Sequence, residues 1–264
     1  MSNRRARPAG SADHGGLART HEGERGLPRG RSRLPIEAVR AAQRDRLLRA
    51  VIAAVAESGF RDVTIADIVR LACVSRAAFY VHFTDKEDCF LAATCVGGEL
   101  LADRIASATR MLPHGTRAED VLRAGLAAFL AFLAEEPAFA RVFYIDMPAA
   151  GPRAAQRLEA AQHRFARFDQ AWHERARRDN PSWPAVPYVA YFALAGATAQ
   201  LVRAEVSKGN SQSVTSLEDT LVALHLAVLA AQPWPDSPGT APAAQAEEAS
   251  PAPGVRMEGA STPG

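Results

Sequence analysis

A chain of 264 residues with 48% hydrophobic and 23% charged side chains is ordinary for a globular protein and long enough to bury a real core. It holds no run approaching the roughly 18 uncharged apolar residues of a membrane span, and no apolar stretch follows its N-terminal arginines as a secretory signal requires, so a cytoplasmic protein without a membrane partner is expected. Its charge is uneven: residues 1–84 hold 15 arginines against eight acids, residues 85–232 hold 15 basic and 17 acidic residues, and the last 32 hold one arginine and four acids. Positive charge gathered at one end is the footprint of a polyanionic partner.

Residues 1–36 carry eight arginines and three acids with almost no large apolar side chains. Such a segment cannot bury enough surface to offset the entropy of ordering, and a disordered basic arm is expected. The last 32 residues, 233–264, hold seven prolines among Ala, Gly and Ser and are expected to be disordered as well. Between them, apolar residues recur at spacings of three and four, which predicts an all-α protein. The first helix runs from Glu37 to Ser58 with Gly59 as its C-cap. The second opens at Thr64, with Asp67 three residues on as a capping-box partner. The third begins at Ser75 and ends near His82, and the fourth runs to about Arg110 with Thr84 as its N-cap. Five more helices are expected near 116–135, 137–147, 152–179, 185–207 and 214–231.

Residues 64–75 read TIADIVRLACVS and continue RAAFYVHFTDKE. This is a short helix, a tight turn at Ala72 to Val74, and a second short helix whose angle is fixed by Ile65, Ile68, Val69, Val74, Phe79 and Phe83. The outer residues of the second helix are slim, as entry into a major groove about 12 Å wide demands. Arg76 is the one long donor and can meet a guanine edge bidentately, while Ala77 and Ala78 can touch thymine methyls. Ser75 caps this helix at the groove. Tyr80, His82 and Lys86 stand at the margin, where donors meet phosphates, and Thr64 places a hydroxyl and helix N–H groups at another phosphate position.

With Gly59-Phe60 ahead of it and Thr64, Ile65-Ala66, Val74-Ser75, Phe79-Tyr80, His82-Phe83 and Lys86-Glu87 in order, the stretch resembles the DNA-binding domain of the tetracycline-repressor (TetR) family over about 50 residues. The resemblance implies a three-helix helix-turn-helix domain (37–84) followed by a helical-bundle ligand-binding and dimerisation domain (85–232). It implies a homodimer on palindromic double-stranded operator DNA, released by a small-molecule effector. The sequence departs from the family's pattern at Cys73, where glycine usually makes the turn, and at Val69, where alanine is common.

In the C-terminal region Phe165, Phe168, Asp169 and Trp172 share one helical face of rings and one carboxylate, a candidate wall for an effector pocket. Ala193, Ala195, Gly196, Ala197 and Ala199, with Leu217, Leu221, Leu224, Val228 and Leu229, suggest a two-helix dimer interface. No enzyme is expected, since the chain lacks a phosphate loop, a GxSxG, an HExxH and paired carboxylates near a histidine. Neither cofactor nor metal site is indicated, because Cys73, Cys89 and Cys95 form no CxxC pair. The competing reading is a thiol-responsive or constitutive DNA-binding regulator without a small-molecule ligand.

Overall fold

The computed structural model describes residues 16–20, 35–209 and 211–230. The tail expected to be disordered, and residues 1–15 and 21–34 of the arm, lie outside the described residues. The described residues are helical throughout, with no strand among them.

Helix α1 (Ile36–Ser58) buries Leu47, Ala50, Val51, Ile52, Ala54 and Val55 along one face and stops at Gly59, whose φ of 81° suits a residue without a side chain. Helix α2 (Ile65–Ala72) opens on the expected capping box, with Thr64 and Asp67 bonding each other's backbone N–H. It ends at Cys73 in the left-handed conformation, φ 52°, with the Cys73 N–H donating to Arg70 and the Val74 N–H to Val69. The turn is therefore the one glycine would make, built on a residue with a Cβ. Helix α3 (Arg76–His82) is capped by the Ser75 hydroxyl, which accepts from the Ala78 N–H at 3.1 Å. Fully buried Phe79 and buried Phe83, 5.7 Å apart, hold α3 against the rest of this head.

Helix α4 (Lys86–Arg110) is capped by Asp85, not by Thr84 as the sequence suggests. The Asp85 carboxylate accepts from the Asp88 N–H at 2.7 Å, and Asp88 in turn accepts from the Thr84 N–H at 3.0 Å, so the box is shifted by one residue. At 1.5 Å per residue α4 is about 37 Å long. Its first turns place Cys89, Phe90 and Leu91 in the head, and its later turns pack on α5 (Ala118–Glu135) and α7 (Pro152–Asp179). At Gly97 the Phe139 ring occupies the space where a Cβ would stand.

The single helix expected over 137–147 is three pieces. Helix α6 (Pro137–Arg141) passes into a π-helical turn over Val142–Asp146 and a 3-10 turn over Met147–Ala149. Pro148 forces the last change, since it offers no N–H to continue the ladder. The π turn packs against both α1 and α8 (Tyr188–Ser207), and half-buried Asp146 sits against the Gly59–Phe60 turn that leads into α2. A 3-10 turn over Ser211–Leu217 leads into α9 (Glu218–Leu229), which packs on α5 and α8.

The expectation of a wholly structureless arm fails at residues 16–20. Gly16–Ala18 form a 3-10 turn against α1 and α6. Both oxygens of the Glu136 carboxylate accept from it, the Gly16 N–H at 2.8 Å and the Leu17 N–H at 2.9 Å. Arg49 on α1 donates to the Gly16 carbonyl at 2.7 Å, and Ala18 is 1% exposed. Two adjacent N–H groups held by one carboxylate, plus a buried methyl, explain why five residues of a polar arm settle here.

Candidate nucleic-acid interface and ligand cavity

The exposed side of α3 carries Ser75, Arg76, Ala77 and Tyr80, with Ala78 half-buried. Arg76 lies along the helix toward Tyr80, its Nη2 3.4 Å from the phenol oxygen and its guanidinium carbon 5.8 Å from the ring centre. Val81, not singled out from the sequence, is 62% exposed beside Tyr80 at 50%. The alternation of buried Phe79 and Phe83 with these two outward residues is the signal that could have found it.

Three marginal residues are placed differently from expectation. The Lys86 ammonium donates to the carbonyls of Phe60 at 2.6 Å, Val63 at 2.7 Å and Arg61 at 3.3 Å, and stands 4.5 Å over the Phe60 ring. All three protons are thus directed at the α1–α2 loop, and the side chain is a brace of the head. His82 is half-buried, its Nε2 has no partner, and burial followed by the charges of Arg44 and Arg40 holds its pKa below the ordinary value. The neutral imidazole is thereby favoured, and Arg40 and Arg44, which sequence reading passed over although they lie four residues apart on the outer face of α1, are cations at this margin. Arg44 also covers the Phe83 ring at 4.7 Å. At Thr64 the hydroxyl donates to Asp67 at 2.6 Å, and the Thr64 N–H does so at 3.1 Å. That bonding holds the Asp67 carboxyl below its ordinary range, so the anion at this helix start is the helix's own.

In the body, a cavity of about 320 Å³ lies between α4, α5, α6, the π turn, α7 and α8. Phe129, Phe139, Phe143, Tyr144, Phe165 and Phe168 supply its rings. Two of the four expected wall residues, Phe165 and Phe168, therefore line it. Asp169 and Trp172 do not: they face an adjoining crevice of about 20 Å³, room for a single water. Trp172 donates to the Ala118 carbonyl at 3.1 Å. Buried Asp169 lies 3.6 Å from Nε2 of buried His225. Burial raises the Asp169 pKa, and burial would lower that of His225 but the nearby Asp169 carboxylate, with the Leu221 carbonyl 2.7 Å from Nδ1, outweighs it, leaving His225 above its ordinary value.

The two-helix face is also redistributed. Leu221 and Leu229 are buried within the protomer and Ala195 lines the cavity. Helix α8 leaves Tyr188, Val189, Ala193, Gln200, Arg203, Ala204 and Ser207 exposed, with open space over Gly196, and α9 leaves Asp219, Thr220, Ala223 and Ala227 exposed. Among the described residues no group of three or more His, Cys, Asp or Glu side chains is placed to hold a metal ion, and no helix is long and apolar enough to cross a membrane.

Residues 47–93 match the family model for bacterial regulatory proteins of the tetR family. A search of curated proteins found no match. Among solved structures, the fatty acid degradation regulator FadR from Bacillus halodurans superposes with a TM-score of 0.62 at 17% identity, covering 70% of this chain and 94% of its own. The transcriptional regulator FadR from Bacillus subtilis, solved in complex with stearoyl-CoA, gives 0.61 at 14% identity over 69% of this chain and 97% of its own. A TetR-like transcriptional regulator from Rhodococcus sp. RHA1 gives 0.53 at 21% identity over 74% and 99%. These likenesses are of fold, and the match to the tetR family model is to the capped helix-turn-helix segment alone.

Proposed function

We propose that the protein is a cytoplasmic repressor with no enzymatic activity, a homodimer on a palindromic operator that a small molecule releases. The observation that carries this is the slim α3 face, where Arg76 and Tyr80 project beyond Ser75, Ala77 and Ala78, on a head joined to a cavity-bearing body through α4. Arg76 reads a base edge, Ala77 and Ala78 allow close approach, and Tyr80, Arg40 and Arg44 hold phosphates, with Thr64, Ser75, His82 and Lys86 keeping the head in shape. Dimerisation through the small exposed faces of α8 and α9 sets two α3 helices about 34–36 Å apart, or a multiple of it, for successive major grooves.

The reading head is residues 37–84 and the effector body 85–232, with α4 contributing to both. A ligand held by Phe165, Phe168 and the rings around them releases DNA by favouring another spacing of the heads, with a coupling of about 5- to 150-fold. That a regulator of like fold holds stearoyl-CoA supports an apolar ligand for this cavity. Selection of sites from random duplexes tests the reading: a two-fold-symmetric motif is expected, and Arg76→Ala should relax one position per half-site. A selected motif with no symmetry, or one unchanged by Arg76→Ala, would overturn it.

A further inference from the structure

The cavity is largely apolar, and beside the half-buried Gln162 its uncharged polar lining consists of two buried hydroxyl side chains. Thr198, on α8, is 2% exposed and lines the cavity, and its Oγ1 makes no hydrogen bond, not even the bond to the preceding helical turn that such hydroxyls commonly make. Tyr144, on the π turn, lines the cavity as well, and its hydroxyl has no hydrogen-bond partner among the described residues. Buried hydroxyls are ordinarily paired, and an unpaired one in apolar surroundings costs free energy that a valine or a phenylalanine would not. Burial raises the Tyr144 pKa, so this group stays a neutral phenol able to donate. The charged lining residues, Glu99 and Arg164, are exposed at the rim and of opposite sign, so nothing charged faces the interior. Six aromatic rings supply the rest of the polarisable surface.

Resting on the reading of this cavity as the effector site, we infer that the effector is a largely apolar, uncharged molecule carrying a neutral oxygen, a hydroxyl or carbonyl, that is seated against the hydroxyls of Thr198 and Tyr144. Thr198 stands on α8, beside the proposed dimer face, and Tyr144 on the π turn that reaches Asp146 and the Gly59–Phe60 turn of the head. An oxygen bonded to both would tie the interface helix to the segment touching the DNA-reading head. A hydrocarbon of the same shape fills the space without making that tie.

The test uses the full chain and two matched probes, naphthalene and 2-naphthol, in equilibrium dialysis, with the isosteric Thr198→Val, Tyr144→Phe double variant and the cavity-filling Ala199→Trp variant. The wild type should hold 2-naphthol about three- to tenfold more tightly than naphthalene, the worth of a hydrogen bond. The double variant should lose that preference while holding naphthalene at least as well, and Ala199→Trp should hold neither. If both probes bind and Ala199→Trp blocks them, but the preference is absent or survives in the double variant, the role of the hydroxyls is wrong and the effector reading stands. If neither probe binds, or Ala199→Trp leaves binding untouched, the cavity is not a ligand site and both readings fall.

Discussion

Lys86 separates two physical pictures of the head. As a phosphate contact it would release a counterion on binding DNA, and its removal would lower the slope of log affinity against log salt by about 0.9. In the structure its ammonium instead closes the α1–α2 loop through the Phe60, Arg61 and Val63 carbonyls, two of them at 2.6–2.7 Å. Lys86→Met keeps the aliphatic stem over Phe60 and removes only the charge and the donors. A hydrogen bond to a charged group contributes about 1.5–3 kcal/mol, and carbonyls that water can partly reach recover some of it. A loss of about 2–3 kcal/mol is expected. Urea unfolding should show it as a lower midpoint at unchanged m, while operator titrations from low to high salt should keep the wild-type slope. Unchanged stability with a slope lower by about 0.9 would refute the brace and restore the phosphate contact.

Gly97→Ala gains about 1 kcal/mol of helix propensity but drives a methyl into the Phe139 ring, and overpacking of about 1–3 kcal/mol or more should win. The Gly97→Ala, Phe139→Leu double variant should then lose less than its two parents together, and strict additivity in denaturant unfolding would contradict the contact. The His225 imidazole, followed by NMR, should titrate above the ordinary value of about 6.5, so its stabilisation is complete below that pH and is lost as pH rises through the raised pKa. In Asp169→Asn the same imidazole should titrate lower than in the wild type, because burial is then opposed by the Leu221 carbonyl alone; no change would exclude the pairing. Glu136→Gln leaves one carbonyl oxygen for two N–H groups, and hydrogen exchange at Gly16 and Leu17 should quicken by about tenfold or more, as loss of a net 1.5 kcal/mol implies; exchange as slow as in the wild type would show that the carboxylate does not hold the arm.

Local chemistry was legible in the sequence wherever one residue decides it. Gly59, the Thr64–Asp67 box, the Ser75 cap and the left-handed Cys73 all follow from short-range sterics and bonding, and each stands where the sequence placed it. Thr84 and Asp85 are both competent caps, and only the reach of Asp88 decides between them. What depends on a distant partner could not be read. The carbonyls that take up Lys86 lie 23 to 26 residues away, and the Arg40 and Arg44 charges that suppress His82 come from another helix. Helical spacing puts Phe165 and Trp172 on one face but says nothing of where along the axis neighbours close in. Around Asp169 and Trp172, residues of α5 and α9 fill the space that stays open at Phe165. The Glu136 anchor, 119 residues from Leu17, had no local signal at all.

Because α4 runs through one continuous core, with Phe90 packed among the residues of the head and Gly97 and Ile105 among those of the body, neither end can melt while leaving that helix intact for the other. Heating should therefore give one calorimetric transition for head and body together, not two. A compound lodged among Phe129, Phe139 and Phe165 would then protect α3 from denaturation although it never touches it, by about 2.7 kcal/mol at a hundred times its Kd. A thermal-shift screen of compound libraries could accordingly report on the whole molecule without any knowledge of its operator.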